Sequence, residues 1–266
     1  MVQDIQQTPA ELDKVRPGEV ITEAINLLDL GFSEAWWVWL GLAAIMISTD
    51  LVILVFGATG AYALTSAQTI ALAVRTLGLL WVFVAGLRAT VLSRGLWQPD
   101  GGFWIGLGRM AAIQAAILIP AGVILRVFAG VIEGALGDAH AAHTWVLWFA
   151  VALAVAIIPL EIKTSPWPIS ALAGECKLNL EDAWRRSRGT TWSAIIAWVV
   201  LVLPFMLVHF ALSAWIEQST AAQGVRIALT VVDCLVSVIE TWLMIGVMAA
   251  LYVLSRQRAD GTPAAA

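Results

Sequence analysis

The chain has 266 residues, of which 60% are hydrophobic and 13% are charged, with a mean hydropathy of +0.85 and a formal net charge of −4 at pH 7. This composition excludes a water-soluble domain of ordinary make-up. The net charge indicates no particular partner, because the charged residues are confined to certain stretches, and no nucleic-acid partner is predicted.

Residues 1–34 form a polar N-terminal segment. The segment carries seven acidic residues and has no apolar core after a basic start, so it is not expected to be a cleavable signal peptide. Within it, four apolar residues share one helical face: Val20, Ala24, Leu27 and Leu28. This spacing predicts an amphipathic helix at the membrane interface.

Apolar segments of about 20 residues or more then recur between short polar links, and each could cross roughly 30 Å of hydrocarbon as a helix. Helices are required because a backbone in lipid must satisfy its own hydrogen bonds, and the alternating pattern of a membrane barrel is absent. The predicted spans are 35–57, 67–92, 104–132, 144–162, 190–216 and 226–254. The sequence therefore predicts an all-α polytopic bundle of about six membrane helices over residues 35–256, followed by a disordered tail at 257–266.

Basic residues are concentrated in alternate links. They are Lys14, Arg16, Arg94, Lys163, Lys177, Arg185, Arg186, Arg188, Arg256 and Arg258. The intervening links at 58–66, 133–143 and 217–225 contain no Lys or Arg. The positive-inside rule then places both termini and the long 163–189 link in the cytoplasm, and it predicts three outward hairpins.

Two later stretches have the same character as the 20–30 segment and also precede or open predicted spans. In one of them the residues on a shared face are Leu180, Ala183, Trp184 and Ser187, and Asn179 with Asp182 predicts a capped helix start. Residues 101–110 show a weaker version. We call such an amphipathic segment at the membrane interface an elbow. The chain would then consist of three units, each an elbow followed by a helical hairpin. The three units could be an internal repeat or three unrelated segments, because residue identity between them is poor.

Prolines and glycines predict local breaks and close contacts. Pro166 and Pro168 are expected to keep the start of the 163–189 link from being helical. Pro120 and Pro204 are expected to kink the third and fifth spans. Glycines cluster where the third span begins, at Gly101, Gly102, Gly106 and Gly108. They are expected to permit close helix contact rather than to bind a nucleotide.

Several ionisable residues fall inside the spans at similar depth, roughly 20 to 26 Å from the nearest basic or Trp anchor. The candidate site residues in this layer are Asp50, Arg75, Arg126, His209 and Glu240. Asp233 is a sixth candidate, seven residues before Glu240 on nearly the same face and nearer the outer surface, and Arg226 lies seven residues before Asp233. One interpretation is structural bracing by ion pairs, such as Asp50 with Arg75 and Glu240 with Arg126. The other is a site in the outer half of the membrane, where Arg75 and Arg126 hold an anionic headgroup or solute and a carboxylate couples to protons.

Metal, cofactor and catalytic signals are weak. His209 could ligate a haem, and Asp138, His140 and His143 could bind zinc, but neither is favoured, so no metal or cofactor is predicted. Cys176 and Cys234 should lie at different depths, which argues against a disulfide. The chain lacks G-x-x-x-x-G-K-[ST], H-E-x-x-H and G-x-S-x-G, and no enzyme activity is predicted.

The basic residues of the 180–190 segment have two interpretations. Arg185, Arg186 and Arg188 beside Trp184 suit anionic lipid headgroups, and they also suffice as a determinant of topology. The two interpretations do not exclude each other.

The stretch S-A-L-A-G-E-C-K-L-N-L-E-D-A-W-R-R-S-R-G-T-T-W resembles the cytoplasmic elbow of six-helix bacterial inner-membrane proteins related to the membrane domain fused to some glycerophosphoryl diester phosphodiesterases. The A-W-R-x-[ST]-R-G core falls at 183–189. This resemblance implies a multi-pass bacterial inner-membrane module without established catalytic residues, and diesterase activity is not carried over. The leading hypothesis is a non-enzymatic protein that binds membrane lipids or another membrane protein; the alternative is a small transporter or permease subunit.

Overall fold

The structure, a computed structural model, describes residues 15–55, 66–92, 100–137, 139–218 and 222–259. In these ranges the helices are α1 Pro17–Val55, α2 Ser66–Leu92, α3 Gly101–Leu136, α4 Ala139–Thr164, α5 Pro166–Leu172, α6 Leu180–Arg186, α7 Thr191–Leu201, α8 Leu203–Gln218 and α9 Gln223–Ala259. The described residues contain no strand. The predicted all-α bundle is therefore confirmed.

Five helices in the described part of the chain are long and apolar enough to cross a membrane, and the pair α7 and α8, bent by 45°, makes a sixth span if it is counted as one. These segments coincide with the six predicted spans. The chain is thus a multi-pass helical membrane protein. We call the end of the bundle where α2, α4 and α9 finish the basic end, and the opposite end the distal end.

The predicted N-terminal elbow forms the first part of α1. Backbone angles at Ala35 leave the helical region and divide the elbow from the membrane-spanning part. The four residues expected on one face are all buried, and Val20 and Ala24 are fully so. Gly31 lies against Thr90 of α2, where an added Cβ would be only 2.8 Å from the threonine Oγ1. Close packing onto α2 thus holds the elbow at the basic end.

The second elbow, α6, has the predicted cap, since the Asn179 side chain accepts a hydrogen bond of 2.8 Å from the amide of Asp182. Its predicted face is only half buried: Ala183 and Ser187 are fully enclosed, whereas Leu180 and Trp184 are exposed. The 101–110 stretch is not a separate elbow, because α3 runs through it without a break.

The prolines act differently from one another. Pro166 and Pro168 lie within α5, so the prediction of a non-helical start to the link is wrong. Both occupy the first turn of that helix, where amide groups have no intrahelical acceptor and proline is tolerated. Pro204 agrees with the expected kink, since it lies in the first turn of α8 just after the break at Val202. Pro120 lies inside α3, which stays one continuous helix.

The short helix α5 is buried at the basic end and packs closely on α3. A Cβ added to Gly102 would lie 2.6 Å from the carbonyl oxygen of Ala171, and Gly106 is also in close contact with α5. The expected close contact through glycine is confirmed at these two positions. The guanidinium of Arg109 on α3 also donates a hydrogen bond of 3.0 Å to the carbonyl oxygen of Trp167 on α5. This bond stabilises the contact between the two helices.

The junction between α2 and α3 is held by Asp100. Its carboxylate caps α3 by accepting from the amide of Phe103 at 2.9 Å and also accepts from Arg88 at 2.7 Å. The hydrogen bond from the Phe103 amide, together with the positive charge of Arg88, lowers the pKa of Asp100 below its ordinary value. Asp100 therefore joins two spans at the basic end as a carboxylate.

The hairpin formed by α3 and α4 separates from the rest of the bundle toward the distal end. The buried residues of α3 end at Ile117, and α3 buries no side chain between Leu118 and Leu136. Phe128 stacks on Phe149 of α4 with ring centroids 3.9 Å apart, so the two helices stay together. By contrast, α1 packs extensively against both α2 and α9. Space is left between the hairpin and this central group.

Candidate binding site in a polar cavity

A polar cavity of about 590 Å³ lies near the distal end between α1, α2, α8 and α9. It is lined by Asp50, Ile53, Leu54, Gln68, Arg75, His209, Ser213, Ile216, Arg226, Thr230 and Asp233. Four of the six residues predicted to form a site are among them. Burying so many polar groups in a membrane span is costly, and such groups therefore mark candidate functional sites.

Asp50 and Arg75 form one side of the cavity. Their carboxylate and guanidinium groups make an ion pair between α1 and α2, as the sequence predicted. The thiol of Cys234 on α9 donates to the other oxygen of Asp50 at 3.3 Å. Asp50 thus joins three helices, and much of the charge on Arg75 is neutralised within the protein.

His209 and Asp233 form the opposite side. Nδ1 of His209 lies 2.7 Å from one oxygen of Asp233, and the hydroxyl of Ser213 donates to the other oxygen at 3.0 Å. The hydroxyl of Ser237 lies 3.0 Å from the same Nδ1. These contacts tie α8 to α9 and fix the orientation of the imidazole ring.

The Ser, His and Asp residues of this cluster do not have the arrangement of a serine hydrolase. There, the carboxylate binds one imidazole nitrogen and the nucleophilic serine binds the other. Here Asp233 and Ser237 both contact Nδ1, while Ser213 contacts Asp233. No described residue makes a hydrogen bond to Nε2 of His209. The cluster therefore supports the walls of a cavity and provides no activated nucleophile.

Arg226, which is not one of the six candidate site residues, also lines the cavity. It lies in α9, seven residues before Asp233, so the spacing in the sequence already placed both on nearly the same face. Its Nε is buried and has no hydrogen-bond partner among the described residues. Its guanidinium also has no ion-pair partner there, in contrast to Arg75. Arg226 is the group in this cavity whose bonding is least complete.

Two predicted site residues lie elsewhere. Arg126 is exposed on the distal half of α3, and Glu240 faces a different part of the bundle. No ion pair joins Arg126 to Glu240 in the described residues, so that predicted pair is wrong. Similar depth did not bring them together, because depth does not fix the direction in which a helix presents a side chain. Glu240 is also about 10 Å along α9 from Asp233.

A further intramembrane carboxylate, Glu161, was missed because it lies at the end of the fourth predicted span, near Lys163. It faces the same region as Glu240 and accepts a hydrogen bond of 3.3 Å from Gln114 of α3. Its partner Gln114 is a polar residue within the otherwise apolar third span, and this residue is the signal in the sequence that could have pointed to Glu161. Glu161 and Glu240 line cavities distinct from the polar cavity.

The elbow arginines are largely engaged within the chain. Arg185 pairs with Glu181 at 2.6 Å, and Arg186 pairs with Glu175 at 3.0 Å. Trp184 has the ammonium of Lys163 at 5.0 Å from its ring centroid. Arg188 is exposed and has no carboxylate partner among the described residues. The candidate lipid surface therefore offers fewer free charges than the sequence suggests.

The residues considered as zinc ligands lie outside the part of the chain that the structure describes: Asp138 as a whole, and His140 and His143 in their side chains. Cys176 and Cys234 are both free thiols. Comparison with protein-family models, with curated proteins and with solved structures finds no match for this chain, so the resemblance seen in the 183–189 segment stays a prediction.

Proposed function

We propose that this protein is a non-enzymatic membrane protein whose polar cavity binds a small anionic group, as the binding site of a small transporter or permease subunit. The observation that carries the proposal is Arg226, because it lines this cavity and its buried Nε has no hydrogen-bond partner among the described residues. A buried donor without a partner costs about 1–3 kcal/mol, and more when the group is charged. An anion in the cavity would supply the missing acceptor.

The charges around the cavity favour an anion over a cation. Asp50 is already bonded to Arg75 and Cys234, and Asp233 is already bonded to His209 and Ser213. Both carboxylates thus have their oxygens engaged, whereas the guanidinium of Arg226 has no ion-pair partner among the described residues. The anionic oxygens of a phosphate, sulfate or carboxylate group match a guanidinium in charge and geometry.

The orientation follows from the basic residues. We place the basic end in the cytoplasm by the positive-inside rule, and the protein in a bacterial inner membrane by the resemblance of the 183–189 segment, so that the polar cavity lies in the outer half of the membrane. There it would accept a solute from the outer aqueous phase or the headgroup of an anionic lipid in the outer leaflet. Both sources offer the same chemistry to Arg226.

The test is Arg226→Gln with Arg126→Gln as the matched control, since Arg126 also lies in a span but outside the cavity. Binding of inorganic phosphate, sulfate and acetate to the detergent-purified protein would be measured by thermal shift and calorimetry, and binding of phosphatidylglycerol would be measured in nanodiscs against phosphatidylcholine. Loss of a charged hydrogen bond costs about 1.5–3 kcal/mol, so Arg226→Gln should weaken binding about tenfold to 100-fold.

The control should bind like the wild type. Binding of a small anion in detergent would identify a solute, whereas a requirement for phosphatidylglycerol would identify a headgroup. Equal affinity for the Arg226→Gln and wild-type proteins, or no binding of any of these anions and lipids, would reject the proposal.

A second candidate function is lipid or partner binding at the elbow, and Arg188 favours it. This arginine is exposed without a carboxylate partner among the described residues, close in sequence to Trp192, whose side chain is 76% exposed. Replacing Arg185, Arg186 and Arg188 together by Gln should lower retention of anionic lipid during purification. Retention equal to that of the wild type, in a correctly inserted variant, would leave these arginines as topology determinants.

A further inference from the structure

Two adjoining cavities lie between the α3–α4 hairpin and the rest of the bundle, with volumes of about 440 and 420 Å³. They share four lining residues, Leu118, Glu161, Glu240 and Met244, and we call them together the lipophilic cavity. Most of the other lining residues are apolar, contributed by α2, α3, α4, α7, α8 and α9. Each volume is in the range of pockets that hold small organic ligands.

Two carboxylates face this apolar space without a matching cation. Glu161 has one hydrogen bond, from the uncharged amide of Gln114, and Glu240 has no hydrogen bond or ion pair with any described residue. Among the described residues, no Lys or Arg lines either part of the cavity. His209 lines the polar cavity instead, where it is bonded to Asp233. The lipophilic cavity therefore holds two carboxyl groups and, among the described residues that line it, no basic side chain.

The hairpin offers a route into the cavity from the lipid. Its helix α3 buries no side chain beyond Ile117, and exposed apolar residues such as Val123 and Val127 cover its distal half. An apolar molecule dissolved in the bilayer could therefore pass between the hairpin and α9 without entering water. A molecule that enters from lipid must itself be largely apolar.

We propose that the lipophilic cavity binds a lipophilic cation, that is, an apolar body that carries one positive charge and no anionic group. The apolar lining would contact the body, and Glu161 and Glu240 would contact the charge. A carboxylate left alone in a low-dielectric site is costly, and a cation offsets that cost only when it comes close. This site is separate from the polar cavity and selects the opposite charge.

Tetraphenylphosphonium is the probe of choice, because its charge does not depend on pH. Its counterpart tetraphenylborate has nearly the same shape and the opposite charge, so the pair separates charge recognition from simple partitioning into detergent. Binding to the purified full-length protein would be measured by equilibrium dialysis and by quenching of tryptophan fluorescence. We expect saturable binding of the phosphonium that is at least tenfold tighter than that of the borate.

The variants are Glu161→Gln and Glu240→Gln, with Glu133→Gln as the matched control, since Glu133 lies exposed on the same hairpin. Each of the first two should weaken phosphonium binding at least tenfold, and the control should leave it unchanged. Because Glu240 makes no hydrogen bond to a described residue, its replacement removes a charge without breaking such a contact. This variant decides the outcome if Glu161→Gln fails to fold.

Equal binding of the two probes, or unchanged phosphonium affinity in Glu240→Gln, would overturn the proposal. Arg226→Gln should strengthen phosphonium binding by no more than about fourfold, because the charge that it removes lies about 21 Å from Glu240 along α9. Failure of the anion site and failure of the cation site are therefore separate results.

Discussion

The contact between α3 and α5 gives a prediction that two neighbouring glycines can test. A Cβ at Gly102 would lie 2.6 Å from the carbonyl oxygen of Ala171, whereas a Cβ at Gly101 would meet nothing within 4 Å. Ordinary contact begins near 3.4 Å, so Gly102→Ala must push α5 away by several tenths of an ångström. The obstacle is backbone, which cannot rotate aside as a side chain can.

The expected magnitude follows from two opposing effects. Overpacking of a close contact costs about 1–3 kcal/mol, while replacing glycine by alanine in a helix gains up to about 1 kcal/mol. The net loss for Gly102→Ala is therefore up to about 2 kcal/mol, and Gly101→Ala should be neutral or slightly stabilising. For a chain of this size a loss of about 2 kcal/mol lowers Tm by about 4–8 °C.

The measurement is the apparent Tm of both variants in the same detergent, read from the soluble monodisperse fraction after heating. Equal changes in Tm for Gly101→Ala and Gly102→Ala would refute the reasoning. The effect of each substitution would then come from the loss of backbone freedom and not from a contact with Ala171. A stabilised Gly102→Ala variant would refute it as well.

Three further predictions concern charges and one strained backbone position. The pKa of Asp100 is lower in the folded protein than in the unfolded chain, where it is near 4. Its carboxylate therefore stabilises the fold above pH 4, and this stabilisation is lost as the pH falls through the folded pKa. Asp100→Asn should lower Tm at pH 7, and the difference in Tm between the variant and the wild type should disappear in acid. Asp50→Asn leaves Arg75 without its partner and should cost about 1–3 kcal/mol, part of which the double variant with Arg75→Gln regains; thermal denaturation of all three variants measures the coupling. Gly189 has φ of +85°, so Gly189→Ala should lower Tm by more than Gly189→Asn, since asparagine tolerates this conformation better.

Features set by local pattern could be predicted from the sequence. The spans follow from the length of apolar segments, and the first elbow follows from helical spacing, because Val20, Ala24, Leu27 and Leu28 are all buried. The same spacing overestimated the second elbow, where Trp184 stays exposed. An apolar face indicates which side of a helix can be buried. The helices that pack beside it determine how much of that face is actually buried.

Features set by the direction of a side chain across the bundle could not be predicted. Depth along a helix placed Arg126 and Glu240 in one layer with Asp50 and Arg75, but only the latter two meet. Rise per residue fixes depth, whereas the rotation of each helix in the bundle depends on packing with its neighbours. The cavities that Arg226 and Glu161 line could not be predicted for the same reason, since each cavity exists only after the helices have assembled.

The helix α9 connects the two proposed sites. Arg226, Asp233 and Glu240 follow at intervals of seven residues, which turn slowly around the helix, by about 20° per interval. The first two face the polar cavity and the third faces the lipophilic cavity. An anion at Arg226 and a cation at Glu240 would then lie about 21 Å apart along one helix.

At an effective dielectric constant of 20, opposite unit charges at that distance attract by about 0.8 kcal/mol. Each ligand would therefore strengthen binding of the other about fourfold, and by linkage the factor must be the same in both directions. A much larger factor could not come from charge alone and would require α9 or the α3–α4 hairpin to move when one site fills. The size of this coupling thus distinguishes two independent sites in a rigid bundle from two sites joined by a conformational change, which is what a transporter needs.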